Sequence, residues 1–158
     1  MKVDPTYERN LEIHLHGPGP SDVPAAVLRA MSVATIGHLD SEFIGIMDQV
    51  QAMLRMFYQT ENRMTIPISG TGSSGMEALI ANLIDLQDRV VVVRNGVFGG
   101  RIADTVSRFG GKVIPIDLEW GTVLTPDDVR KVFSKSSSDA LFLVHAETST
   151  GAHQQHMR

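Results

Sequence analysis

The chain contains no cysteine, which excludes disulfides, thiolate metal sites and cysteine nucleophiles together. It also lacks any apolar stretch near the roughly 18 to 20 residues of a membrane span. Its start, Met1-Lys2-Val3-Asp4-Pro5, has no apolar signal-peptide core. A cytoplasmic protein with no membrane partner is therefore expected. Long runs of one charge are missing too, and a formal net charge of −4 leaves no electrostatic footprint for nucleic acid. What is present is ordinary single-domain length, 158 residues with 42% hydrophobic side chains, enough to bury a core. Eight methionines point to a soft, adaptable interior.

Residues 1–22 are polar and rich in proline and glycine, ending in Gly17-Pro18-Gly19-Pro20-Ser21, and read as an extended arm. A helical segment over 23–63 follows, with a short helix near 23–32. A longer amphipathic helix runs from Asp40-Ser41 to about Tyr58, where Phe43, Ile46, Met47, Val50, Met53, Leu54 and Phe57 recur at three- and four-residue spacing. Over 64–151 the pattern alternates. Short apolar runs at Met64–Ser69, Arg89–Arg94, Lys112–Asp117 and Ala140–His145 predict four parallel strands. Helical patterns lie between them near Ser74–Ile84, Gly100–Phe109 and Pro126–Ser134, the last with Thr125 as N-cap. The class is α/β, a parallel-type sheet covered by helices. Ser134–Ser138 reads as a loop.

Chemistry concentrates in three turns after predicted strands. The first, Ser69-Gly70-Thr71-Gly72-Ser73-Ser74-Gly75, opens a helix, where glycines admit an anion, free N–H groups point at it and hydroxyls add donors. A phosphate fits there; a plain strand-to-helix turn with exposed serines is the alternative. Gly70, Gly72 and Gly75 also satisfy G-x-G-x-x-G, so a Rossmann site is weighed. The acidic residue for an adenine ribose is missing, but Arg94 could take a 2′-phosphate, which keeps NADP open. No Lys-Ser or Lys-Thr pair follows the glycines, which excludes a P-loop. The second turn, Arg94–Arg101, places Phe98 where it could stack on a flat ring. The third, His145–Gly151, carries Glu147 and hydroxyls. Three polar turns on one sheet edge make a crevice for a small molecule.

Gly17–Ser21, Ile36-Gly37-His38-Leu39-Asp40, Ser69–Gly75, Asn95-Gly96-Val97-Phe98-Gly99 and His145–Gly151 together resemble, in order and spacing, class V aminotransferases of the alanine–glyoxylate/serine–pyruvate group. The resemblance covers about residues 15–151. It implies part of the large domain of a fold-type-I, pyridoxal 5′-phosphate (PLP) dependent homodimer that transaminates a small amino acid, alanine or serine, with glyoxylate or pyruvate. It further implies that Thr71, Gly72 and Ser73 hold the cofactor phosphate. Phe98, where many relatives have Trp, stacks on the pyridine ring, Thr148 bonds near its ring oxygen, and Pro18 and Gly19 line the substrate side. His38 receives no role.

A PLP transaminase needs a Schiff-base lysine and a carboxylate for the pyridine nitrogen. The lysines here are Lys2, Lys112, Lys131 and Lys135, in the arm, at the far edge of a strand, and on or beside a helix. None is placed to reach the ring, so no catalytic residue is assigned and the chain alone is expected to be inactive, a non-catalytic remnant or dimerisation fragment being the alternative. The tail 152–158, Ala152-His153-Gln154-Gln155-His156-Met157-Arg158, diverges from the family and is expected to be solvated. No metal site is expected from His153 and His156.

Overall fold

The computed structural model describes residues 14–155. Its elements are α1 (Ala25–Met31), α2 (Ser41–Phe57), α3 (Gly72–Leu83), β1 (Arg89–Arg94), α4 (Val97–Arg108), β2 (Lys112–Asp117), α5 (Pro126–Phe133), β3 (Ala140–Phe142), β4 (Ala146–Glu147) and β5 (Ala152–His153). The first three strands in chain order form one parallel sheet in the order β2-β1-β3, and β4 pairs with β5 as a small antiparallel hairpin.

The run Val90-Val91-Val92-Val93 explains why β1 is central. A strand covered on both faces needs apolar side chains at every position, not at alternate ones, and all four valines are buried. Because successive strand residues point to opposite faces, the run feeds two cores. Val90 and Val92 pack with Ile80 of α3, Ile84 just beyond it, and Ile102, Ala103 and Val106 of α4. Val91 and Val93 pack with Ile116 and Leu124, joined by Val129 and Val132 of α5. The result is helix, sheet and helix in three layers.

Local chemistry sets the helix ends. Asp40 caps α2, its carboxylate accepting the Glu42 N–H at 2.9 Å. At α5 Thr125 and Asp128 form a reciprocal capping box ahead of Pro126. The Thr125 hydroxyl and N–H donate to the Asp128 carboxylate and hold it below its ordinary pKa. Helix α4 begins at Val97, three residues before the helix expected at Gly100, for a reason that lies in the third turn and is described below.

Two expectations are corrected. Met64–Ser69 is not a strand, so the parallel sheet has three strands among the described residues. Pro67 lacks a backbone donor, and Met64, Ile66 and Ile68 are exposed with no sheet neighbour to pair with. The tail is not wholly solvated either, since Ala152 and Gln154 are buried. The Gln154 side chain pairs with both backbone groups of Leu124, accepting its N–H at 2.8 Å and donating to its carbonyl at 2.9 Å. His156 lies outside the described residues. No helix among the described residues is long and apolar enough to cross a membrane.

The two-core arrangement makes the helix-side apolar residues unequal. Ile80→Ala empties a fully buried site between α3, α4 and β1 and is expected to cost about 2–5 kcal/mol. Met56→Ala, at a position 75% exposed, is expected to stay within about 0.5 kcal/mol. Urea unfolding of the two variants reads the difference, and equal losses would contradict this core.

Candidate cofactor pocket

At the carboxyl ends of the sheet strands lies a cavity of about 550 Å³ that brings the three turns together. Thr71, Gly72 and Ser73 line it from the first turn, Phe98 from the second, and Ala146 and Thr148 from the third. Met76, Leu79, Ile102 and Phe142 supply an apolar wall. Pro18 and Gly19 are exposed and are not among the residues lining it; His38 is also exposed.

Each polar group is held by its local fold. Thr71 is the N-cap of α3; its side chain bonds no helix N–H, and its hydroxyl shares a 3.4 Å hydrogen bond with the Ser74 hydroxyl. The first N–H groups of a helix have no intrahelical acceptor, and at Gly72 and Ser73 they belong to residues that line the cavity. At Gly70 a Cβ would meet Ser74 Oγ at 2.7 Å and Ser74 Cβ at 2.9 Å, so a larger residue would force the start of α3 to shift. Arg101, from α4, donates to Ser73 Oγ at 2.8 Å, and its guanidinium carbon lies 5.3 Å from the centre of the Phe98 ring. One cation thus ties the hydroxyl loop to the aromatic, a role that sequence spacing did not expose because the partners are 28 residues apart.

Glu147, noted in the third turn but given no partner by the sequence, is fully buried. Its Oε2 accepts the N–H groups of Phe98 and Gly99, both at 3.1 Å. Its Oε1 accepts the Ser149 hydroxyl at 2.5 Å and the Ser149 N–H at 3.3 Å. The Ser149 hydroxyl in turn accepts the Val97 N–H at 3.0 Å. A carboxylate from the third turn therefore caps α4 across the cavity edge and starts that helix at Val97. Both glycines of the Asn95–Gly99 block follow. A Cβ on Gly96 would meet Glu147 Cγ at 2.4 Å, and one on Gly99 would meet the Val93 carbonyl at 2.4 Å.

Arg94 sits at the carboxyl end of β1 opposite Asp117 of β2 and gives it two hydrogen bonds, Nε to Oδ1 at 2.6 Å and Nη2 to Oδ2 at 2.7 Å. Those bonds hold the Asp117 carboxyl below its ordinary pKa and raise that of Arg94. The side chain held open for a 2′-phosphate is thus engaged. Its glycine turn, moreover, follows no sheet strand, so both supports for a Rossmann site are weakened. Of the lysines, Lys112 starts β2 beside Arg89, at the sheet edge opposite the cavity. Lys131 is in α5 and Lys135 just beyond it, Lys2 lies outside the described residues, and no lysine lines the cavity.

Since every Glu147 partner is a donor, truncation strands several at once. Glu147→Ala is expected to cost about 2–4 kcal/mol in urea unfolding, because buried donors lose their acceptor. Glu147→Gln should fall between it and the parent chain, the amide NH₂ facing donors at one of the two oxygens. A Glu147→Ala chain as stable as the parent would disprove the cap.

The family model for class-V aminotransferases matches residues 13–157. The chain is 40% identical over 134 residues to the (S)-ureidoglycine–glyoxylate transaminase of Bacillus subtilis, covering 85% of this chain and 32% of that protein. It is 38% identical over 144 residues to an alanine–glyoxylate aminotransferase of Drosophila melanogaster, covering 91% of this chain and 36% of that one. A solved alanine–glyoxylate aminotransferase from Nostoc sp. superposes with a TM-score of 0.90 at 42% identity, over 98% of this chain and 41% of its own. The chain thus spans about a third of the length of these curated relatives. It belongs to the class-V aminotransferases, PLP-dependent enzymes of fold type I, and its three-layer α/β unit with a loop-lined cavity is a portion of that architecture.

Proposed function

We propose that this polypeptide is the phosphate- and ring-binding part of a PLP-dependent aminotransferase that exchanges an amino group between a small amino acid, alanine or serine, and glyoxylate or pyruvate. The observation that carries the reading is the convergence of Thr71, Gly72, Ser73, Phe98 and Thr148 on one cavity. Its donor set suits a phosphate monoester. The start of α3 and the hydroxyls of Thr71 and Ser73 line the cavity, Arg101 bonds Ser73, and the dipole of α3 favours an anion there. The adjoining wall is apolar and suits a flat heteroaromatic ring. When bound, PLP supplies the electron sink for transamination.

In this reading Thr71 and Ser73 donate to the phosphate while Gly72 lets the backbone approach it. Phe98 gives one ring face a stacking surface, and Arg101 keeps that side chain and Ser73 in register. Met76, Leu79 and Ile102 exclude water from the ring, and Thr148 places a hydroxyl at the rim for a ring oxygen. The residues fit the cofactor's phosphate and ring but offer no amine for a covalent link. We assign the chain a cofactor-holding role, with 23–63 a helical segment and 64–151 the partial PLP-binding unit; of the expected arm 1–22, with Pro18 and Gly19 toward substrate, residues 1–13 lie outside the described residues, as do 156–158 of the tail 152–158. The exposed apolar residues Val27, Leu28 and Met31 of α1 and Met53, Met56 and Phe57 of α2 are compatible with the homodimer that the family resemblance implies.

Two measurements test this. Calorimetric titration with pyridoxine 5′-phosphate, which has no aldehyde to react with surface lysines, is expected to show binding that a Thr71→Ala, Ser73→Ala double variant weakens by roughly tenfold or more. Unchanged affinity would remove the phosphate assignment, and NADP binding with the phosphate ester ignored would restore the Rossmann alternative. Separately, the 158-residue chain given alanine or serine, glyoxylate and excess PLP is expected to form no keto acid above the rate of free PLP. Turnover that one lysine substitution abolishes would reverse that expectation.

A further inference from the structure

The hairpin at the cavity mouth holds a pair of imidazoles that the cofactor reading leaves unused. His145 precedes β4 and His153 ends β5. Their Nε2 atoms are 3.1 Å apart, and the ring centres are 4.8 Å apart with the planes inclined at 40°. Both side chains are exposed, and His145 lines the cavity.

The backbones that carry the pair are fixed independently of the rings. Ala146 pairs with His153 and Glu147 with Ala152 across the hairpin. The Gln154 N–H donates to the His145 carbonyl at 2.7 Å, and the Gln154 side chain is locked onto Leu124. Glu147, two residues from His145, is anchored to α4. The two Cα positions are therefore set before any ligand arrives. Preorganisation of that kind separates a chelating pair from two histidines that are merely close.

We propose that His145 and His153 form a bidentate site for a borderline divalent transition-metal ion such as Ni²⁺, Cu²⁺ or Zn²⁺. With metal–nitrogen bonds of about 2.0–2.1 Å, a nitrogen separation of 3.1 Å corresponds to an N–metal–N angle of about 95–102°. That lies between the right angle of square-planar or octahedral cis ligands and the tetrahedral angle, so the nitrogen separation already suits a common ion, which would replace the hydrogen bond between the two rings. Imidazole is the ligand type that suits these ions and not Mg²⁺ or Ca²⁺. Among the described residues no third His, Asp or Glu joins the pair, and two ligands suffice for a bidentate site. The pair is separated by eight residues, a spacing with no motif, which is why only the folded hairpin reveals it.

Calorimetric titration of the full chain with Ni²⁺ in a non-coordinating buffer tests the site. One ion per chain is expected, with no heat from Mg²⁺. Loss of outer-shell partners already costs metal sites about 10–100-fold, so His145→Ala and His153→Ala are each expected to weaken binding by at least tenfold. A His14→Ala, His16→Ala double variant should leave it unchanged. Electron paramagnetic resonance of the Cu²⁺-loaded parent chain, which needs no variant to fold, should show two imidazole nitrogens. Retained affinity in both single variants overturns the proposal. So does a site lost with His156→Ala but kept in His145→Ala, or a copper spectrum with one nitrogen or none.

Discussion

Glu147 is the point at which the cavity is assembled. A buried carboxylate is tolerable only when its lone pairs are filled by donors, and here two backbone N–H groups of α4 and both donors of Ser149 fill them. The consequence reaches beyond one helix end. Phe98 belongs to the segment whose N–H groups are tied, and Thr148 is the residue next to Glu147. The cavity-lining residues Phe98 and Thr148 are thus held to each other through a single side chain. The third turn is therefore part of the same rigid body as the second, although about fifty residues separate them in sequence.

The same constraint explains the glycines that made the second turn recognisable. Gly96 and Gly99 are not there to admit a ligand; one clears the Glu147 side chain and the other the β1 backbone. Gly72, in the first turn, is different: it lines the cavity and nothing lies within 4 Å of a notional Cβ. Glycines alike in sequence thus differ in physical cause, those of the second turn being set by close packing. Only coordinates separate them.

How much was legible follows from range. The strands β1 and β2, the ends of α2 and the Thr125 cap of α5 could be read because their causes are local: apolar runs, helical spacing and capping residues within four positions. Met64–Ser69 was misread because an apolar run of strand length says nothing about whether a neighbouring strand exists. The early start of α4 was missed because its cap comes from 48 or more residues away. The site divides the same way. Thr71, Ser73, Phe98 and Thr148 stood out as types in turns, whereas Arg101, Glu147 and Gln154 acquire their roles only from partners distant in the chain.

What the described unit can do is set by which half of the cofactor chemistry its residues match. Binding a phosphate and a ring needs donors, a helix start and an apolar wall, and these come from α3, α4 and the strand ends of one small sheet. Covalent capture needs an amine of tuned basicity aimed at the ring from close range. No residue on this sheet edge provides it, because the described lysines lie at the opposite edge or on and beside α5. The two requirements are physically separable: the first is a property of strand-to-helix turns, the second of one side chain placed opposite them. On the proposed reading, a chain that folds the turns keeps the phosphate-side donors whether or not it carries the amine, and affinity for the phosphate is assigned to Thr71, Ser73 and the α3 N-terminus, not to a covalent bond.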